Sequence, residues 1–281
     1  MLTRHITKLR RPILQPQHPL TRGLIGAWLF NEGGGGIARD YSGRNNSAQA
    51  SGSYSWQIGP EGFEYDPASG SYMDTNVNPL LGLTHWTIVC RLRGTTTGSD
   101  QAFLCANNAN TNSIFGIYTS GGKWLYFWDG SGRRSNIADT DIFDGDIHTV
   151  AWSDDGTQYT PWLDGEPDTG IASGTFAWPS YSSIRFFRRI DGNYNSYPNY
   201  ALAYFLYNRA LIQQEQIQLH LDPYQLFRAP FPGLTLKAIA ATTSTVQLTW
   251  TDNSENETGY SIERSTTSAT AGFSEIDTVG A

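Results

Sequence analysis

The sequence predicts an all-β protein whose body is a two-sheet sandwich or barrel, with one short helix towards its C-terminal end. Two observations carry this. Aromatic residues make up 13% of the 281 residues and charged residues only 16%, while glycine occurs 29 times. Aromatics favour strands and glycine marks turns, so the balance suits many short strands around a large core. The second observation is order: short apolar runs recur along the chain, each closed by turn formers, with few helix-forming clusters between them.

Strand-like runs fall at 24–30, 86–93, 102–106, 113–118, 123–128, 149–153, 158–163, 183–187 and 201–207. Ser120-Gly121-Gly122, Asp129-Gly130, Asp155-Gly156 and Asp164-Gly165 supply turns. Trp86, Ile88, Cys90 and Leu92 alternate with Thr87, Val89 and Arg91, so the former set marks a buried face. In 123–128 both faces are apolar, so that strand lies between other elements or offers aromatics to a ligand. Residues 211–221 (LIQQEQIQLHL) predict the helix, which stops before Asp222-Pro223. PYQLFRAPFPG then reads as a Pro-rich linker ending at Gly233, and a new β pattern starts at Leu234.

The run Gly33–Gly36 poses a choice between a phosphate cradle and a turn. Gly33, Gly35 and Ala38 fit a G-x-G-x-x-A spacing, but Ser42-Gly43 and Asn45-Asn46 arrive before a helix could complete two turns. Without a helix N-terminus there is no row of donors for a phosphate, so the run predicts a turn.

Net charge is −7, unevenly spread. The first 22 residues hold Arg4, Lys8, Arg10, Arg11 and Arg22 and no acid, which leaves −12 on the remainder. An acidic body excludes general nucleic-acid binding. Pro12, Pro16 and Pro19 oppose a helix in the basic segment, and no apolar stretch there is long enough for a signal peptide. It reads as an extended arm that docks on an acidic neighbour, or as a tail. No run of 18 apolar residues marks a membrane span. Cys90 and Cys105 each sit in an apolar alternating run: buried free thiols, or a disulfide between adjacent strands.

GLIGAWLFNEGGGGIARDYSGRNNSA, DGDIHTVAWSDDGTQYTPWLDGEPDTG and ALAYFLYNRALI resemble, in that order, segments of a laminin-G-like, concanavalin A-like jelly roll. VQLTWTDNSENETGYSIERS resembles the start of a fibronectin type III domain, with Trp250 and Tyr260 in core positions. The expected organisation is a basic arm at 1–21, a jelly roll at 22–227, a Pro-rich linker at 228–234 and a partial fibronectin type III domain at 235–281. A sandwich of that kind needs about 100 residues, so the sequence is expected to end inside a domain. The segment DPYQLF after the helix resembles laminin-G-like proteins of tailed-phage virions.

Chemistry is sparse. Asp139, Asp141 and Asp144 mimic the carboxylate spacing of jelly-roll glycanases, but every glutamate is replaced by the shorter aspartate and the register is that of a turn. No Ser-His-Asp or Cys-His arrangement stands out, and the resemblance gives His148 a structural place. Asp191, Asn193 and Asn195 place oxygen ligands at alternate positions, as half a calcium loop does, but the glycine and distant glutamate that complete it are missing. Leu202 and Ala203 stand where the family carries an acidic pair. The loop 189–200 (RIDGNYNSYPNY) offers Tyr194, Tyr197 and Tyr200 beside Asn193 and Asn195, which suits sugar stacking and hydroxyl bonding, a protein interface, or self-packing. The expectation is a non-catalytic structural or adhesion protein without a cofactor, foremost a decoration or fibre protein on a phage virion surface. Arg4, Lys8, Arg10 and Arg11 would attach it to capsid or other virion subunits, and copies exchanging arms would form a homo-oligomer. The alternative is a carbohydrate-binding adhesion module of a bacterial surface protein or polysaccharide-degrading enzyme, taking a cell-surface glycan.

Overall fold

Alternation along one strand, Trp86–Gly94, shows how the body is layered. Trp86, Ile88, Cys90 and Leu92 enter a core between two sheets, whereas Val89 belongs to a second apolar cluster on the opposite face. The computed structural model describes residues 8, 12–68, 70–75, 77–94, 102–107, 114–120, 124–129, 133–137, 142–169, 172–173, 183–188, 199–228, 237–240, 242, 245–249, 259–267 and 273–280, the strands between 107 and 137 by their backbone. The chain divides into two units, Met1–Arg228 and Ala229–Ala281.

In the first unit, eight strands form one sheet in the order β12 (Arg133–Ile137), β11 (Trp124–Asp129), β10 (Ile114–Ser120), β9 (Ala102–Asn107), β17 (Ile184–Phe186), β7 (Tyr72–Asp74), β4 (Ala48–Ser51) and β3 (Ile37–Ala38). The second sheet runs β15 (Glu166–Pro167), β14 (Gln158–Leu163), β13 (Ile147–Asp154), β8 (Trp86–Gly94), β18 (Asn199–Tyr207), β6 (Gly62–Pro67) and β5 (Tyr54–Gly59). In that sheet β16 (Ala172–Ser173) also pairs with β14, and β2 (Leu24–Trp28) with β18. All pairings are antiparallel. This is an all-β sandwich with one short helix, α1 (Gln213–Leu221), as the composition predicts. No helix among the described residues is long and apolar enough to cross a membrane.

The core between the sheets is aromatic. Trp28, Phe30, Tyr65, Phe186, Phe187 and Tyr204 are buried; most pairs meet edge-on, with Trp28 and Phe186 at 4.9 Å between ring centres, while Tyr65 and Phe187 stack at 5.0 Å. Phe187 reaches this core beside Phe186 because its backbone has a positive φ of 72°, which breaks the strand's alternation.

The outer face of the nine-stranded sheet carries Val89, Ala151, Ala203, Phe205 and Tyr207. The chain ends of the unit cover it: Leu20 from the N-terminal segment, then Leu211, Leu219, Tyr224, Leu226 and Phe227. Ile13–Leu14 (β1) pairs with Phe227–Arg228 (β19), and Gln15 N–H donates to Leu226 O at 2.9 Å. The two ends are thus stitched into a single cover.

That pairing corrects the expectation of a free attachment arm at 1–21. Lys8 is buried, its N–H donates to Glu61 O at 2.9 Å, and its ammonium donates to Phe63 O with Glu64, Glu61 and Glu32 nearby. The Lys8 charge is spent inside its own fold, so neither virion attachment nor arm exchange can use it. Arg4, Arg10 and Arg11 lie outside the described residues.

The glycine run is a turn, with two different reasons for its glycines. Gly33 and Gly35 have φ of +66° and +74°. Gly36 needs no such φ, but a Cβ there would lie 3.0 Å from both Gln49 Nε2 and Tyr54 Oη. The Asp-x-Ser-Gly-x-Asn segment after it is a clip: Asp40 accepts from Ala27 N, Ser42 N, Ser42 Oγ and Asn46 N, each at 2.9 Å. Asp164-Gly165 joins β14 to β15 with both φ positive (53° and 89°), the two-residue hairpin its sequence predicts.

The second unit contains two hairpins, Lys237–Ala240 (β20) with Val246–Thr249 (β21), and Gly259–Ser265 (β22) with Phe273–Gly280 (β23). Trp250, expected in a core position of a fibronectin type III domain, lies outside the described residues.

Candidate functional site

Of the residues expected to bind a partner or metal, Asp191, Asn193, Tyr194, Asn195 and Tyr197 lie outside the described residues. Tyr200 is described. It sits in β18 directly opposite Arg93 of β8, whose guanidinium lies 4.2 Å over the ring. Arg93 is held in turn by Glu64, through Nε at 3.3 Å and Nη2 at 2.6 Å. One face of Tyr200 is therefore occupied by the protein itself. Among the described residues, no group of three or more His, Cys, Asp or Glu side chains is placed to hold a metal ion.

Three arrangements remain to be weighed. The first surrounds His148 at the start of β13. Its Nδ1 meets Asp164 Oδ2 at 2.8 Å and its Nε2 meets Asp144 Oδ1 at 3.3 Å. The Asp164 bond raises the imidazole pKa above the usual 6.5. Burial would raise the Asp164 pKa, but bonds from His148, His220 and Thr149 N–H outweigh it and hold the carboxyl low. Asp144 also accepts from Asp146 N–H at 2.8 Å, a turn-capping role. This cluster ties β13 to the turn after β14. It has no nucleophile within reach.

The second is a buried ionic network on the outer face of the nine-stranded sheet. Arg91 donates from Nε to both Glu61 oxygens at 3.0 Å, from Nη2 again to Glu61, and from Nη1 to Thr149 Oγ1 at 2.7 Å and His220 O at 3.0 Å. Tyr224 O–H donates to Glu61 Oε2 at 2.9 Å. Both Tyr224 and Glu61 are 5% exposed, and burial pushes the phenol far above its ordinary pKa. The pair is closed to substrate and functions as a fastener.

The third is the outer face of the eight-stranded sheet. Ile184 and Phe186 of β17 and Leu104 and Ala106 of β9 enter the core, so Arg185 and its register partner Cys105 belong to the opposite face. The same register row crosses the sheet. Asp74 lies opposite Arg185 and Gln49 opposite Asp74; on the other side Gly116 lies opposite Cys105, Trp128 opposite Gly116 and Arg133 opposite Trp128. Residues directly opposite share a face. By alternation Tyr118 shares the face with Gly116, and Tyr126 and Trp124 share it with Trp128. The companion set Phe115, Ile117, Leu125 and Phe127 falls on the core side. Trp124, Tyr126 and Trp128 thus hold the register positions of the outer face, and Leu125 and Phe127 those of the core face.

At the described end of this face Arg185 is fixed from two sides. Its guanidinium stacks 3.8 Å over the Tyr72 ring, and Nε and Nη2 reach Asp74 Oδ2 at 3.4 and 3.2 Å. Gln49 is exposed, with its amide donating to Gly36 O at 2.9 Å. Cation, anion, amide and aromatic rings thus stand on one sheet face, a composition suited to polyhydroxylated ligands. Neither Arg185 nor Asp74 was singled out from the sequence; only the strand register puts them in one row with Trp128, three and four strands away.

No family model and no curated protein matches the sequence. Solved structures do resemble the fold. A Trypanosoma rangeli sialidase in complex with sialic acid is 16% identical over 73% of this chain, with a TM-score of 0.56. Domain 4 of AbnA, a GH43 extracellular arabinanase from Geobacillus stearothermophilus, in complex with arabinotriose, is 15% identical over 70% of this chain and 98% of its own, with a TM-score of 0.54. The binding domain of botulinum neurotoxin DC, in complex with SialylT, is 12% identical over 72% of this chain and 52% of its own, with a TM-score of 0.53. The chain spans about a third (33%) of the sialidase's length. These likenesses give the fold: a β-sandwich of the jelly-roll kind. They also correct one expectation. The chain was expected to be non-catalytic, yet the structures it is similar to include sialidases, which are enzymes.

Proposed function

We propose that the first unit is a carbohydrate-binding sandwich of a larger surface protein or polysaccharide-active enzyme, and that it binds its glycan on the outer face of the eight-stranded sheet. One observation carries the reading: the strand register aligns Trp124, Tyr126, Trp128 and Tyr118 with the Arg185–Asp74–Tyr72 group on the face opposite the core. Sugar rings present flat C–H faces to aromatics and hydroxyls to paired donors and acceptors, so this face offers both halves of the recognition. Support comes from similarly folded domains crystallised with arabinotriose and with SialylT.

Display on a virion was the other reading. It rested on the basic arm, on the missing signal-peptide stretch and on the DPYQLF resemblance; with Lys8 buried and Ile13–Leu14 paired in a sheet, the first of these supports is weakened.

The test is a glycan array followed by calorimetry on the best binder. Trp128→Ala should weaken binding by about 1–2 kcal/mol, roughly 5–30-fold, with the melting temperature nearly unchanged. Affinity that survives both Trp128→Ala and Trp124→Ala would remove the face from the proposal.

A further inference from the structure

We infer that His148 is the peg of a proton-operated clasp. While its ring carries two N–H groups it holds the turn between β14 and β15, and that turn is the seat of helix α1. The helix is therefore held down in mildly acidic surroundings and loosens as the pH rises past neutral.

Three consecutive residues of the turn hold three successive positions of α1. Glu166 Oε2 accepts from Gln213 Nε2 at 2.7 Å. Gly165 lies so close to the helix that a Cβ on it would come within 2.7 Å of Ile217 Cα. Asp164 Oδ1 faces His220 Nδ1 at 3.3 Å. Residues four and then three positions apart fall on one side of a helix, so one stripe of α1 rests on the turn. The helix in turn belongs to the cover of the nine-stranded sheet: Leu219 is buried against that sheet, and the His220 carbonyl accepts from Arg91 Nη1 at 3.0 Å. Whatever fixes Asp164 thus fixes one side of the cover.

His148 does the fixing, and one form of its ring fits. Nδ1 lies 2.8 Å from Asp164 Oδ2, and Nε2 lies 3.3 Å from Asp144 Oδ1. Both neighbours are carboxylates, which accept and do not donate. A neutral imidazole has a single N–H, so one nitrogen would turn its lone pair towards a carboxylate oxygen; the imidazolium donates to both. The charged ring therefore joins three pieces: the turn 142–146, β13, and the β14–β15 turn. The surrounding charges do not replace it. Arg91 and Arg93 of β8 stand opposite Thr149 and Ile147, but each is matched by its own glutamate, Glu61 and Glu64. Asp146 and Glu166 are exposed and add only negative charge, and Asp139 and Asp141 lie outside the described residues. Once His148 is neutral, Asp144 and Asp164 face each other across it with no cation between them. The bond to Asp164 raises the ring pKa above the usual 6.5, so the contribution of the clasp is complete below about pH 6.5 and is lost as the pH climbs through the higher folded-state value.

The experiment is hydrogen exchange of the α1 amides in the full chain at about pH 6 and about pH 8.5, corrected for the intrinsic rate at each pH and read as an opening constant. The wild type is set beside His148→Asn and Asp144→Asn. Opening of α1 in the wild type should rise about 3–10-fold between the two pH values, the size expected for partly exposed charge-assisted bonds. His148→Asn keeps an amide that can donate to Asp164 but cannot titrate, and should cut the rise below about 2-fold. Asp144 is 46% exposed, so Asp144→Asn should leave the fold intact. Its amide can donate to the ring, which then needs only one N–H, and the rise should at least halve. Lys8, whose charge changes in the same range, is present in all three proteins and cancels in the comparison. Opening that does not rise in the wild type, or that rises equally in all three, would overturn the clasp. Should His148→Asn fail to fold, Asp144→Asn decides alone: a full-sized rise in that variant overturns the proposal.

Discussion

Arg91→Met should be among the most damaging single substitutions in the first unit. Arg91 makes bonds to Glu61, Thr149 and the His220 carbonyl, and so joins β8 to the β5–β6 turn, to β13 and to the end of α1. Methionine keeps much of the stem's volume and removes every donor. Glu61, 5% exposed, would keep the Tyr224 hydroxyl and the Lys8 ammonium nearby but lose its bonded cation, and removing one partner of a buried ion pair costs about 3–5 kcal/mol. Against a total stability of about 5–15 kcal/mol this is a fifth or more of what holds the fold. At about 2–4 °C per kcal/mol for a unit of this size, the midpoint should fall by about 6–20 °C.

The assay is urea denaturation followed by tryptophan fluorescence, with a second variant as control. Arg91→Met combined with Glu61→Leu and Tyr224→Phe removes the orphaned groups as well, and should recover most of the loss, because a buried ion pair is close to interchangeable with apolar packing. A loss below about 1 kcal/mol for Arg91→Met, or a triple variant no better than the single, would refute the claim that the network is a buried, mutually dependent unit.

Two other outcomes follow from the same geometry. Gly33→Ala forces a left-handed residue and brings a Cβ to 2.7 Å from the Phe63 ring, so it should cost about 1–3 kcal/mol, whereas Gly34→Ala meets nothing within 4 Å and should stay within about 0.5 kcal/mol of wild type by thermal melting. Burial lowers the Lys8 pKa from 10.5 to about 7, against the pull of three nearby carboxylates. The folded state therefore binds fewer protons than the unfolded one between about pH 7 and 10.5, and stability should climb with pH across that window. Lys8→Met should flatten the climb when denaturation midpoints are compared at pH 7 and 9; an equal slope in both proteins would show that the ammonium is solvated.

What the sequence disclosed and what it hid divide along a physical line. Trp86–Gly94 was legible because its period-2 alternation is local, and Asp164-Gly165 because both residues tolerate positive φ. The hairpin Tyr54–Gly59 with Gly62–Pro67 was not, since Pro60, Glu61, Glu64 and Asp66 imitate a solvated loop. Glu61 and Glu64 belong inside because Arg91 and Arg93, 30 and 29 positions away, receive them. Gly59 accompanies the arrangement: a Cβ there would fall within 1.9 Å of Glu64 Oε1. The N-terminal charges misled for the same reason, as Lys8 finds its carboxylates only after folding. At the candidate site the aromatics of 123–128 were visible, but Asp74 and Arg185, separated by 111 positions, meet only through the register of β7 and β17.

The two outer faces of the sandwich make opposite use of the same kind of surface. On the nine-stranded sheet the apolar outward positions are covered by the unit's own ends, and where the apolar patch stops the Arg91–Glu61 network continues beneath Tyr224 and the end of α1. A ligand there would have to displace a stitched strand pair and a buried charge cluster. On the eight-stranded sheet the outward row mixes small, charged and aromatic residues, with half-exposed Tyr72 and exposed Gln49 at its described end. Such a surface gains little by self-packing and much by meeting a ligand with both flat and hydroxylated sides. On the proposed reading, stability and recognition are separable in this fold. Substitutions in the Arg91 network should lower the melting temperature and leave glycan affinity alone in whatever fraction remains folded, whereas Trp128→Ala and Trp124→Ala should do the reverse. A linked response, in which Arg91→Met weakens glycan binding at a temperature where the unit is fully folded, would mean that the two sheets do not act independently.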